Sequence, residues 1–278
     1  MSQVVAVLLS LTIVAVASAA PVNEAAKPAR VKRVANSGDV ERYHVVVSMR
    51  EGAEQAFLFL KVKKPSASFI LFAGGSGEII FDDGVIHRDT NFLVRSRFRF
   101  AEEGFNVAVV DSPSDYRNLR GARSTYFHAL DIKGVIAYLR EVSPAPVWLI
   151  GTSRGTISAA NAASQLKVGG ADGLVLTATV FEPSGGGGTL TDVDLRRITI
   201  PTLFVHHKDD RCFVTPYGAV TPHMRLMENA PKVEQIAFEG GQSGGGRHCD
   251  AEGPHGFLGI EDEVVHSISN WIKANNPR

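Results

Sequence analysis

Short apolar runs alternate along the chain with segments of helical period, and that alternation limits the architectures open to it. Residues 68–73 (SFILFA), 106–110 (NVAVV), 147–150 (VWLI), 173–179 (GLVLTAT) and 202–206 (TLFVH) read as short strands. The first is a continuous apolar run, as expected of a strand covered on both faces, the condition of a parallel sheet. Helix-compatible segments at 91–103, 125–141, 153–166, 219–228 and 261–274 supply the crossovers such a sheet requires. In the second of them Ala129, Ile132, Val135, Ile136 and Leu139 recur at i, i+3, i+4 spacing and form one apolar face. A strand at 233–238 and an opening antiparallel ribbon, 43–49 with 56–62, complete the set. The expectation is an α/β domain with a mostly parallel central sheet and helices on both faces.

The N-terminus is set apart from that domain. Residues 4–17 are apolar except for Ser10 and Thr12, and Ala17-Ser18-Ala19 gives a small-x-small cleavage pattern. The run is shorter than the roughly 20 residues that span a bilayer and matches a signal-peptide core. Residues 1–19 are therefore expected to be a signal peptide, 20–42 a solvated leader and 43–278 one domain, in a protein that is secreted or periplasmic. No stable membrane insertion is expected after cleavage. Lysine plus arginine and aspartate plus glutamate both number 29, which argues against nucleic acid as a partner.

In an open α/β sheet the ligand binds at the carboxyl ends of the strands, so the residues following each strand are the ones to inspect. Gly-x-Ser-x-Gly occurs twice, around Ser153 and around Ser243. Only the first lies between a strand and an apolar, alanine-rich helical run, the context in which a sharp turn exposes a serine hydroxyl. The second sits in a glycine-rich loop that cannot be helical, so Ser243 reads as a decoy. That loop, 240–246, reads as very flexible. A serine nucleophile needs a base, an orienting acid and oxyanion donors. After the strand at 202–206 come Asp209 and Asp210, and Glu182 follows the preceding strand; these are the acid candidates. His255 and His248 are the candidate bases. The Arg154 amide and one from residues 74–77 are the candidate oxyanion donors. His206, His207 and His248-Cys249-Asp250 lack metal-ligand spacing, so no metal and no cofactor is expected. Asp111 reads as a loop-ordering residue, and Phe92, Phe98 and Phe100 as core.

These motifs resemble the α/β-hydrolase superfamily, in particular small exported serine hydrolases and the dienelactone-hydrolase-like group. The resemblance rests on Phe72-Ala73-Gly74-Gly75-Ser76-Gly77, Gly151-Thr152-Ser153-Arg154-Gly155, Val205-His206-His207-Lys208-Asp209-Asp210 and His255-Gly256-Phe257. It implies Ser153 as nucleophile, His255 as base, Asp210 as acid, and Gly75 with Arg154 as oxyanion donors. The chain departs from the family pattern at His207, where a glycine is usual, and at Ala73, where a histidine is usual. Dienelactone hydrolases use cysteine where Ser153 stands. The activity implied is hydrolysis of carboxylic esters, on a small molecule or a polymer, through an acyl-enzyme. Peptidase or amidase action and non-catalytic binding on the same fold are the alternatives. The short stretch 180–201 leaves no room for a cap domain. Finally, an exported chain with two cysteines is expected to join Cys212 to Cys249, tying the acid loop to the histidine loop.

Overall fold

The computed structural model describes residues 30–33, 41–82 and 85–277; the expected signal peptide lies outside them. In chain order the strands begin with β1 (Arg30–Arg33), β2 (Glu41–Val47), β3 (Glu54–Leu60) and β4 (Ser68–Phe72). A small hairpin follows, β5 (Phe81–Asp82) with β6 (Val85–Ile86), and then β7 (Asn106–Val110) and β8 (Val147–Thr152). The series closes with β9 (Gly173–Thr177), β10 (Thr202–His207) and β11 (Val233–Phe238). The helices are α1 (Phe92–Arg95), α2 (Arg97–Glu102), α3 (Tyr126–Val142), α4 (Gly155–Gln165), α5 (Val220–Met224) and α6 (Glu261–Asn275).

One sheet holds all strands but the hairpin, in the order β1-β2-β3-β7-β4-β8-β9-β10-β11. From β7 to β11 every neighbouring pair is parallel, and β1, β2 and β3 close the other edge antiparallel. The strand alternation that the apolar runs conceal is a division between two cores. Ile70, Phe72 and Leu149 point to one face, where α3 and α4 cover them. Phe69, Leu71 and Ile150 point to the other, under α1, α2 and α6. Both faces are dry, so no polar position breaks the run.

Local detail departs from the sequence expectation where backbone geometry intervenes. The helix expected at 91–103 is broken at Ser96, whose φ of −91° and ψ of 0° end α1 and start α2 on a new axis. The helix expected at 219–228 shrinks to five residues preceded by a 3-10 turn at Tyr217–Ala219, with Pro222 inside it. Strand β9 stops at Thr177 because Ala178 turns to a φ of +43°. Residues Arg30–Arg33, within the expected leader, pair antiparallel with β2. The stretch 180–201 is a loop with two 3-10 turns, and Leu190, Val193, Leu195 and Ile198 anchor it in the core. It forms no cap over the sheet. Among the described residues no helix is long and apolar enough to cross a membrane.

Trp148 shows how tightly the strands fit. It pairs with Gly173 across β8 and β9, and a Cβ on Gly173 would lie 2.2 Å from the indole ring. Replacing Gly173 by Ala is expected to cost about 1–3 kcal/mol through overpacking, read as a lower urea midpoint with altered tryptophan fluorescence. Gly218, where an added Cβ meets nothing within 4 Å, serves as the control. An unchanged midpoint for Gly173→Ala would contradict this packing.

Candidate active site

Ser153 stands on the turn from β8 into α4 with a φ of +51°, a conformation β-carbon-bearing residues rarely adopt. Both flanking glycines are sterically required. A Cβ on Gly155 would lie 2.1 Å from the Phe72 carbonyl oxygen, and one on Gly151 would lie 2.4 Å from the Gly155 oxygen. The Ser153 amide donates to the Thr177 carbonyl at 3.0 Å. The Ser153 carbonyl in turn accepts from the Thr156 amide at 3.0 Å and the Thr156 hydroxyl at 2.6 Å. The strain is held by neighbours on three strands and a helix.

Asp210 and His255 meet at 2.9 Å, from His255 Nδ1 to Asp210 Oδ2. The carboxylate is buried and fully engaged. Its Oδ1 accepts from the Cys212 amide at 2.9 Å, and its Oδ2 also accepts from the Thr215 hydroxyl at 2.8 Å. Thr215 was invisible in the sequence because no motif marks it. The other acid and base candidates point elsewhere: the Asp209 side chain is 66% exposed, and Glu182 and His248 are exposed as well. His207 stands in place of the family's glycine, and Asp210 rather than Asp209 is the aspartate that contacts His255. Its Nδ1 accepts from the Asp209 amide at 3.1 Å and its Nε2 reaches the Gly240 carbonyl at 2.9 Å, stitching the acid loop to the glycine-rich loop. His255 sits in the 3-10 turn Pro254–Gly256. Arg95 donates to the Gly256 carbonyl at 2.5 Å and pairs with Glu261 at 2.9 Å, and Phe257 packs on Phe92 with ring centroids 4.9 Å apart.

Ser153, His255, Gly74 and Gly75 line one cavity of about 350 Å³, together with Asn91 and Arg88. Ser153 and His255 share it without a hydrogen bond between them, a separation common before substrate binds. Among the described residues the amides of Gly75, which lines this cavity, and of Arg154, which follows the serine in the chain, have no acceptor. Gly74 allows the close approach, since a Cβ there would stand 3.0 Å from the Ser153 Cβ. Arg123, only 4% exposed, clamps this loop. Its Nη2 donates to the Ala73 and Gly75 carbonyls at 3.1 and 3.3 Å, and its Nη1 to the Ser158 hydroxyl on α4 at 2.8 Å. Asp111 orders the same loop further on, accepting from the Ile79 amide at 3.0 Å and the Ser112 amide at 2.8 Å.

Cys212 and Cys249 are joined, with Cα atoms 4.5 Å apart. The bond ties the loop of Asp210 to the wall of the cavity, which Cys249 helps to line. The glycine-rich loop between them is exposed, and some of its glycines make close backbone contacts. A Cβ on Gly244 would lie 1.8 Å from the Glu252 carbonyl oxygen and one on Gly241 would lie 2.5 Å from that of Leu258, so these glycines serve close backbone contact. Ser243 lines a larger recess of about 550 Å³ over this loop, and neither Ser153 nor His255 borders it. Among the described residues no group of three or more His, Cys, Asp or Glu side chains is placed to hold a metal ion.

Buried histidines bear on stability. Burial, followed by the neighbouring Arg42, pulls the His44 pKa down to about 4. Burial likewise pulls His206 down to about 3, with Asp210 opposing and His255 reinforcing the fall. His206 Nε2 accepts from the Thr179 amide at 3.1 Å, a bond only an unprotonated nitrogen can make. In the unfolded chain each imidazole takes up its proton near 6.5, whereas the native protein refuses it until about 4 or 3. The stabilisation is thus complete above pH ~6.5 and is lost as pH falls toward those native values. The urea midpoint is expected to drop steadily from pH 7 to pH 5, and the His206 ring signals to stay constant across that range in NMR. A flat midpoint or a titrating His206 would refute the assignment.

No family model matches the chain, and no curated protein matches it in sequence. Solved structures do. An esterase of Pyrococcus furiosus superposes with a TM-score of 0.61 at 13% identity, over 90% of this chain and 92% of its own. A cold-adapted esterase from an Arctic intertidal metagenomic library gives 0.58 at 11% identity, over 89% and 98%. A serine hydrolase without a lid from Xanthomonas campestris gives 0.51 at 17% identity, over 90% and 96%. The strand order, the strained serine turn at the end of β8 and these superpositions agree: the chain has the α/β-hydrolase fold.

Proposed function

We propose that the protein is a serine hydrolase of carboxylic esters, working through an acyl-enzyme. The observation that carries this reading is the convergence on one cavity of a strained Ser153, a His255 oriented by Asp210, and the acceptor-free amide of Gly75, with the Arg154 amide next to the serine in the chain. Ser153 Oγ attacks the ester carbonyl carbon as its proton passes to His255 Nε2, the ring nitrogen left free by the Asp210 bond. The Gly75 and Arg154 amides receive the negative charge on the carbonyl oxygen, in positions that need no rearrangement. Asp210 fixes the tautomer and stabilises the imidazolium. The C–O bond then breaks, and His255 returns the proton to the departing alcohol. Water repeats the sequence on the acyl group, its proton going to His255 and then to Ser153. The esterase names of two structural neighbours support the choice of esters over amides.

The uncapped cavity favours small, soluble substrates. Its rim carries Glu78, Asp250 and Glu252, against which stands Arg88, itself 3.5 Å from Glu78. Uncharged acyl and alcohol groups suit such a rim better than anionic ones. We place the activity outside the cytosol, in keeping with the apolar N-terminal run and with a disulfide that persists only under oxidising conditions.

Three experiments test this. Purified protein is expected to hydrolyse short-chain p-nitrophenyl esters at concentrations far below micelle formation, with no jump in rate at an interface. Ser153→Ala is expected to lower kcat by on the order of 10⁴-fold or more while leaving the circular dichroism spectrum unchanged, and Ser243→Ala to change little. A fluorophosphonate probe is expected to label Ser153. Absence of labelling with the fold intact would favour a non-catalytic binding protein, and turnover of peptides above esters would favour a peptidase.

A further inference from the structure

Three arginines gather behind the serine turn, away from the cavity. Arg120, Arg123 and Arg154 line a second, small cavity with Gly187, Gly188 and Ser124. Its volume of about 10 Å³ admits one water-sized occupant. Among the described residues none of the three guanidinium groups forms an ion pair with a carboxylate. Asp192, beside Gly188, spends its Oδ2 on the Thr189 amide at 2.9 Å. Asp131 lies beyond Ser158 and His128 and is taken by Arg50 at 2.8 Å and Ser48 at 2.6 Å.

The charges are costly as they stand. Burial and then the Arg154 charge pull the Arg123 pKa down to about 9, and burial and then Arg120 lower that of Arg154. A buried cation without a counter-charge is among the least favourable arrangements a protein can hold. Arg123 is also incompletely bonded, for its Nε is buried and has no partner among the described residues. Its two terminal nitrogens are spent on Ala73, Gly75 and Ser158. Arg154 is held in place by the Ser184 carbonyl at 2.5 Å, and its guanidinium occupies the space of a Gly187 side chain, 1.4 Å from where a Cβ would stand.

We infer that this cavity binds a monatomic anion, chloride in ordinary media, on Arg123 Nε and between the Arg120 and Arg154 guanidinium groups. The volume excludes a substrate carboxylate, and none of the residues around this cavity lines the one that holds Ser153. The anion completes the bonding of Arg123 and so stiffens the clamp on the loop of Gly75.

The test is thermal unfolding of the full chain in sodium chloride and in sodium gluconate at equal ionic strength, with no substrate present. Its outcome is therefore independent of whether the protein is an esterase. Chloride is expected to raise Tm by roughly 3 °C, saturably, as a ligand of the native state does. Arg120→Met, at the exposed edge of the cavity, is expected to lose that increment while keeping the gluconate Tm. Crystals soaked in bromide are expected to show an anomalous peak in contact with Arg123 Nε. Equal Tm in the two salts would overturn the proposal, as would an increment preserved in Arg120→Met, or a bromide-soaked crystal without that peak, in which case the gap holds only water.

Discussion

The approach of α4 to the end of β4 is the constraint on which the cleft depends. The Gly155 Cα sits so close to the Phe72 carbonyl that no β-carbon fits between them. That proximity sets the angle at which the chain leaves β8, forces Ser153 to a positive φ and brings it against Gly74. Relaxing the helix outward would relieve the serine and move the Arg154 amide with it. The alanine and serine content of α4 follows from the same need, since only small side chains let a helix lie this near both the sheet and α3.

Around that turn the protein relies on buried polar groups at a cost in stability. Arg123 fastens two carbonyls of the Gly75 loop to α4 through Ser158, which also reaches His128 at 3.0 Å. On the other side, His206 is kept neutral beside Asp210 and bonded to Thr179, so the floor under the Asp210–His255 pair carries no competing positive charge. An all-apolar replacement would be easier to bury, yet it could not fix two backbone carbonyls or direct a carboxylate. The orienting groups come from β4, β9, β10 and the segments after them, which makes the site a property of the whole sheet.

Much of this was legible in the chain. Strands buried on both faces announce themselves as unbroken apolar runs, and the serine turn was separable from its duplicate at Ser243 by the strand and helix around it. Asp210 and His255 were legible as candidates at positions after strands, and the structure brings them within hydrogen-bond distance. What escaped were residues whose role is set by long-range packing. Nothing local distinguishes Arg123 from a surface arginine; it is its place after β7, under the β4 loop, that buries it. Thr215 lacks a motif because a hydroxyl can be offered to a carboxylate from many sequence distances. The break at Ser96 escaped for a different reason: residues 91–103 keep an apolar face on both sides of the kink, so periodicity gives no sign of it.

The glycine-rich loop reverses the usual reading of such composition. Read as sequence, 240–246 costs much entropy to order, and the disulfide looks like a restraint on slack chain. In the structure Gly241 and Gly244 take positive φ values and stand where a side chain would collide with the backbone at Leu258 and Glu252. The loop is an exposed strap whose glycines make close backbone contact with the segment that carries His255. The Cys212–Cys249 bond, with a sequence separation of 37, acts on the unfolded chain, where closing a loop of that size is worth about 4 kcal/mol in chain entropy. In the native state its contribution is positional, because Cys212 donates its amide to Asp210 and Cys249 walls the cavity that His255 enters. Ordering such a loop is unfavourable for the glycines alone; once the cross-link has confined the unfolded chain, their freedom from side chains becomes what allows the strap to lie flat.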